Sequence, residues 1–208
     1  MTSYSAAEIR QRYDDFAQRY ARMEGLQEAL LAMRRRRARV FANARGDVLE
    51  VAVGTGVNLP HYARDCRLTA VDVSPRMLDI ARRRAAALGL TVALHEMDAT
   101  ALEFPDDSFD TVTSSLTTCT FPDPVAALAE MGRVCRPDGQ VLLLEHGRSD
   151  RGWCGRYQDR RAERHAHALG CQWNREPLDL VAQAGLTVVA ARRGLLGTFH
   201  EITARPPA

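Results

Sequence analysis

The stretch Val48-Leu49-Glu50-Val51-Ala52-Val53-Gly54-Thr55-Gly56 decides the fold. It begins as a short, almost unbroken apolar run and closes on two glycines separated by one residue. A run of that length bounded by glycine reads as a strand buried on both faces, and the glycines let the backbone turn tightly and approach a ligand. Such a strand belongs to a parallel sheet covered by helices, so the sequence on either side has to alternate strands with helices.

Downstream it does. Leu68 to Val71, Val92 to Leu94, Thr111 to Ser114 and Val141 to Leu144 read as further short strands. Helices are expected at Pro60 to Arg64, at Pro75 to Leu88 before Gly89, and at Pro124 to Cys135, stopped by Pro137-Asp138-Gly139. Beyond His146 an Arg-rich helical stretch reaches Leu169, followed by a helix over Glu176 to Ala184 and by strands Thr187 to Arg192 and Thr198 to Ala204. The turn between those last strands, Gly194 to Gly197, is too short for a crossover, so they must run antiparallel. Upstream, Ile9, Tyr13, Phe16, Tyr20 and Met23 recur at steps of three or four, the spacing of a helix over Ala6 to Phe41 with a break near Gly25. The reading is a helical lid over residues 1–45 and one compact α/β domain over 46–208.

Composition narrows the chemistry. The 208 residues are 46% hydrophobic and 26% charged, an ordinary globular balance in one domain-sized chain. A net charge of +2 gives no reason to expect nucleic acid. All 28 basic residues are arginine, which excludes Schiff-base and lysine-base chemistry. The five cysteines (Cys66, Cys119, Cys135, Cys154, Cys171) include no C-x-x-C pair, so neither a disulfide framework nor a metal site is expected. His165 and His167 are two apart, which would put them on different faces of a helix and argues against a metal site with Cys154 and Cys171. No apolar run approaches the roughly 20 residues that cross a bilayer, so a cytoplasmic chain is expected. The arginine run Arg34 to Arg37 with Arg39 reads as solvated helix surface, with peripheral contact to anionic lipid as the alternative.

The glycine turn specifies a nucleoside. The dinucleotide fingerprint G-x-G-x-x-G would place a third glycine where Leu59 stands, so a pyrophosphate is not the expected ligand. Glu50, ahead of the first glycine, suits a cationic amino-acid group and hence a sulfonium nucleoside. Asp72, ending the second strand, can accept both ribose hydroxyls. Val73 and Met77 can hold the adenine, and Asp98 with Ala99, ending the third, can read its edge.

These residues also carry a family resemblance. VLEVAVGTGVNLPHY (48–62), LTAVDVSPRMLDIAR (68–82), LHEMDATALEFPDDSFDTVTSSL (94–116) and EMGRVCRPDGQVLLLEH (130–146) resemble the successive motifs of class I S-adenosylmethionine-dependent methyltransferases, nearest the ubiquinone/menaquinone C-methyltransferase-like group. The resemblance implies a Rossmann-like three-layer αβα sandwich with a mostly parallel seven-stranded sheet whose last strand is antiparallel. It implies S-adenosylmethionine as cofactor, with Gly54, Thr55, Gly56, Asn58 and Ser115 joining the residues above around it. Ala52 departs from it, standing where the family more often has its first glycine. Alanine is acceptable there in strand geometry and strained in a left-handed turn.

Glu145-His146, Gly170-Cys171-Gln172-Trp173-Asn174 and Gly197-Thr198-Phe199-His200, with Cys119, resemble the methyltransferase-like thiol methyltransferase branch. A small-molecule acceptor, with a thiol as best reading, is what that implies. The alternatives are a phospholipid amine, a quinol or other metabolite, and a non-catalytic nucleoside-binding regulator. His146 is the expected base for a thiol, whose unperturbed pKa is near 8.5. Cys119, Trp173, Phe199 and His200 are expected along the substrate pocket, and Tyr13 and Tyr20 on a lid above the cofactor.

Overall fold

The computed structural model describes residues 4–30 and 32–207, leaving out the side chains at 23–30 and 169. Two helices, α1 (Ala6–Leu30) and α2 (Met33–Phe41), precede β1 (Asp47–Val51). Then follow β2 (Arg67–Asp72), α3 (Pro75–Ala87), β3 (Val92–Glu96), β4 (Phe109–Ser115), α4 (Pro124–Val134), β5 (Cys135–His146), α5 (Gly152–Leu169), α6 (Pro177–Gln183), β6 (Thr187–Gly194) and β7 (Phe199–Arg205). They form one seven-stranded sheet in the order β3-β2-β1-β4-β5-β7-β6. β1 to β5 pair in parallel, and β7 runs antiparallel to both β5 and β6. This is the Rossmann-like arrangement expected, the terminal hairpin included.

Alternation along β1 builds both layers. Leu49 and Val51 face a core closed by Leu128 and Met131 of α4 and Val181 of α6. Val48 faces the opposite core, with Met33, Val40 and Phe41 of α2 and Ala85 of α3. The strand order reverses between β1 and β4, so their C-terminal ends diverge into a crevice where ligands of open α/β sheets bind. Helix starts aim at that edge. Ser74 caps α3 by accepting from Met77 N, with Pro75 at the first helical position, and Asp123 caps α4 by accepting from Ala126 N ahead of Pro124.

Three local expectations are corrected. Helix α1 passes unbroken through Gly25, whose cost of about 1 kcal/mol a long helix tolerates. The break falls instead before Met33, where Ala32 is left-handed at φ +50°. The helix expected at Pro60 to Arg64 is only a 3-10 turn over Leu59–His61, because Tyr62 is extended and turns into the core. The glycine turn therefore opens no α-helix. Lastly, α4 ends at Val134, ahead of Pro137-Asp138-Gly139 as expected, but that tripeptide is not a separate turn. It lies within β5 as an irregularity, where the pairing jumps from Phe109↔Cys135 to Thr111↔Gln140.

The arginine run is a solvated face only in part: Arg34, Arg35 and Arg39 are exposed, whereas Arg36 is half-buried and Arg37 buried. Arg36 and Arg39 both pair with Glu201 of β7, at 3.1 and 2.7 Å, and Arg37 is 4% exposed. Arg34 and Arg35 remain on the surface. Among the described residues no helix is long and apolar enough to cross a membrane.

Candidate functional site

A cavity opens at the crevice, between α1, the Gly54–Thr55 turn and the ends of β2, β3 and β4. Ala52, Gly54, Thr55, Asp72, Val73, Met77, Asp98, Ala99 and Ser115 line it, and Tyr13 and Tyr20 roof it from α1. Three successive strand ends thus deliver the residues read from the sequence to one place.

The two glycines of the turn do different jobs. A Cβ at Gly54 (φ +55°) would meet nothing within 4 Å, so that stretch of backbone faces open space. Its N–H donates to Asp72 Oδ2 at 2.8 Å. A Cβ at Gly56 (φ +75°) would lie 2.8 Å from the Leu59 side chain and 3.2 Å from the Ala81 backbone, so Gly56 lets the turn pack on α3 and does not line the cavity. Ala52 is left-handed at φ +55°. The tolerable case, strand geometry, is therefore not the one realised. The cost of a left-handed alanine is about 1–2 kcal/mol.

Glu50 also stands behind the wall. It is 2% exposed and accepts from Asn58 Nδ2 at 2.7 Å and the Tyr62 hydroxyl at 3.0 Å. Burial pushes its carboxyl up to about 7, against those two hydrogen bonds and Arg37. Asn58 bonds Ser115 Oγ at 2.9 Å, and Arg37 donates to Asn58 Oδ1 at 2.5 Å and Ser115 Oγ at 2.8 Å. Glu50 and Asn58 act through this network, whose cavity-facing members are Arg37 and Ser115. Arg37 was missed by reading the arginines as a run. Its position, four after Met33 and three before Val40, falls on the buried stripe of α2 and carries the signal.

Asp72 is held by backbone: Ser74 N donates to Oδ1 at 2.9 Å and Gly54 N to Oδ2. Burial raises its pKa to about 6 despite those bonds. Asp98 accepts from Thr100 N and Oγ1, both at 2.9 Å.

Beyond the nucleoside end, Leu116, Thr117, Thr120 and Phe121 of the loop after β4 form the far wall. Glu145 anchors that loop from below, fully buried, accepting from the backbone N–H and hydroxyl of both Thr117 and Thr118. Behind the loop, Cys119, His146 and Cys171 converge, their sulfur and nitrogen atoms all within 4.8 Å of one another. No spacing along the chain announces this cluster, because its members come from a loop, a strand end and the segment after α5. The neighbouring Cys119 thiol chiefly, and His146, hold Cys171 down to about 4, whereas Cys119 is pushed well up by Cys171 and by burial. Burial disfavours a charged His146, yet Cys171 at 3.4 Å and Glu145 keep its pKa above the ordinary value.

His146 therefore faces a thiol of the protein and is not among the cavity-lining residues. The four residues expected along the pocket also stand away from the cavity: Cys119 lies behind the loop whose Thr117 and Thr120 line it, and the other three lie farther off. Trp173 stacks flat on His165 at 4.1 Å and donates to Gln158 O at 3.1 Å. Phe199 pairs with His146 across β5–β7 and lies under Arg36 at 5.2 Å. His200 is 1% exposed, held neutral by burial that pushes it down to about 4, and among the described residues its ring nitrogens have no hydrogen-bond partner. The hairpin end that carries Phe199 and His200 turns these rings toward α2 and the start of α6, away from the pocket that the motif resemblance implied.

Residues 48–139 match the family described as a methyltransferase domain. The chain is 30% identical over 212 residues to the mitochondrial methyltransferase OMS1 of Saccharomyces cerevisiae, covering 93% of this chain and 45% of that protein. It is 43% identical over 121 residues to a phosphatidylethanolamine N-methyltransferase of Cereibacter sphaeroides, covering 57% and 60%. It thus spans about half the length of these curated relatives. Among solved structures, the [4+2]-cyclase SpnF superposes with a TM-score of 0.81 at 19% identity, covering 100% of this chain and 98% of that one, a likeness of fold alone.

Proposed function

The chain carries a class I S-adenosylmethionine-dependent methyltransferase domain, and on that premise we propose that it methylates the sulfur of a small thiol. The donor set fits the cofactor. Asp72 retains carboxylate lone pairs beyond its two backbone bonds for the ribose hydroxyls, Val73, Met77 and Ala99 offer apolar contact for the adenine, and the open space at Gly54 admits the chain close by. Arg37, with Ser115 beside it, is suited to the cofactor carboxylate. When bound, S-adenosylmethionine supplies an electrophilic methyl carbon on a sulfonium.

The protein's part is then alignment in a dry pocket. Tyr13 and Tyr20 of α1 close it from above, in keeping with a lid. The observation that carries the thiol reading is the sulfur-and-imidazole cluster directly behind the acceptor wall. The carboxylate that anchors that wall, Glu145, is committed to Thr117 and Thr118, so it offers no seat for an ammonium. An amine-bearing lipid head group is the second reading, favoured by the likeness to the N-methylating relative and by the basic rim of Arg34, Arg35 and Arg84 beside Val57.

A panel of small thiols, amines, phenols and quinols with labelled cofactor separates the readings. Methylated thiol is expected. Turnover of amines or quinols with no thiol methylated would end the thiol reading.

A further inference from the structure

Cys119, His146 and Cys171 form a cluster for which the cofactor half of the site has no use. We propose that these three side chains bind a zinc ion whose fourth position takes the acceptor sulfur. The metal assignment stands on the three side chains, and the identity of the fourth ligand rests on the thiol reading.

Two thiols and an imidazole are a donor set that zinc favours and that magnesium or calcium does not. A tetrahedral zinc, with bonds of about 2.3 Å to sulfur and about 2.0 Å to nitrogen, holds its ligand atoms roughly 3.5 to 3.8 Å apart. Cys171 Sγ and His146 Nε2 are 3.4 Å apart, and the whole set lies within 4.8 Å. Small side-chain rotations close it.

The fold already fixes the ligands. Gln172 N donates to Cys119 O at 2.8 Å, tying the two cysteine-bearing segments together. Arg175 Nη1 bridges the same segments, donating to the carbonyls of Thr118 and, at 2.9 Å, Phe121. Glu145, next to His146, anchors Thr117 and Thr118 on the approach to Cys119. Three protein ligands with a fourth position open is the arrangement of a catalytic zinc, whereas structural sites are closed by four.

The open side is supplied by the loop itself. Thr117 and Thr120, on either side of Cys119, line the cavity, and so does Tyr13. None of the three ligands itself lines the cavity, so the loop carrying Thr117 and Thr120 has to part for a thiol entering beside Tyr13 to reach the metal and the methyl donor together. On coordination its proton passes to solvent, since a metal-bound thiol is deprotonated outright. The thiolate then forms the new carbon–sulfur bond as the sulfonium carbon–sulfur bond breaks, with that electron pair staying on the departing thioether. Coordination thereby does the work expected of a histidine base.

The test is metal binding by the full chain. Chelator-treated protein is titrated with zinc alone, and separately with cobalt(II) as a coloured substitute. One zinc per chain is expected, with sulfur-to-cobalt charge-transfer absorption. Cys119→Ser and Cys171→Ser should each weaken zinc binding by at least about 100-fold, while Cys66→Ser leaves it unchanged. Absence of stoichiometric zinc and of the cobalt absorption in the wild-type chain, or zinc binding indifferent to both substitutions, would overturn the site without reliance on how the variants fold. Thiol methylation at full rate by metal-free protein would also overturn it and leave the thiol reading standing. A cysteine-dependent zinc site in a protein that methylates no thiol would uphold the three ligands and end that reading.

Discussion

The two ends of the cavity were assembled differently. At the nucleoside end, Gly54, Asp72 and Asp98 follow β1, β2 and β3, neighbours in a parallel sheet whose strands all finish at one edge. Position along the chain is there equivalent to position in the site. At the acceptor end, Cys119, His146 and Cys171 meet only because β4 and β5 are adjacent and the segment after α5 folds back over them. The first end is written in short motifs, the second in long-range contacts.

The sharpest way to break that contrast is at Asp72. Asp72→Ala is expected to weaken S-adenosylhomocysteine binding by about 100-fold, since two hydrogen bonds to a charged group are lost at about 1.5 kcal/mol each. Calorimetry with unchanged affinity would remove the ribose assignment.

The pH dependence tests the same carboxylate more finely. Its pKa is raised to about 6, so affinity for the cofactor should be full above that pH and fall about tenfold per unit below it, as protonation competes with the ribose. The empty fold responds with the opposite sign. Asp72 contributes stability fully present below its unfolded pKa and lost as pH rises through about 6. An affinity flat from pH 7 to 5 would contradict the assignment.

Arg37→Met asks whether the network behind the turn serves the ligand. Loss of the guanidinium from Asn58 and Ser115 should weaken cofactor binding by about tenfold. Arg35→Met, on the surface nearby, should not change it.

The smallest effect is at Ala52. Ala52→Gly removes left-handed strain and should stabilise the fold by about 1 kcal/mol, a rise in Tm of roughly 2–4 °C. A lower Tm would show that the turn holds alanine without strain.

How much of this was legible follows from the same contrast. The apolar run at Val48, the acids at strand ends and the short Gly194 to Gly197 turn fixed the sheet and its antiparallel edge, because strand periodicity and turn length are local properties. Glycine spacing pointed to a nucleoside, yet could not tell that Gly54 faces the cavity while Gly56 packs on α3. That distinction depends on Leu59 and Ala81, which the fold brings in. Glu50 was read as touching the ligand, but its place one residue before Val51 on a buried strand turns it toward Tyr62 and Asn58. Trp173, Phe199 and His200 were placed by the motif resemblance, and side-chain direction, after α5 for Trp173 and on the hairpin for Phe199 and His200, sent them elsewhere. Arg37 was hidden by its neighbours, since a run of arginines masks the one that helical periodicity buries.

The central claim is that the acceptor end receives sulfur. Its most direct test is transfer of a deuterated methyl group from the cofactor to an equimolar mixture of a small thiol and a small amine, with the product identified by mass spectrometry. The account predicts a deuterated methyl thioether, formed one for one with S-adenosylhomocysteine, and an unchanged amine. A deuterated methylamine, with the thiol returned intact, would contradict it.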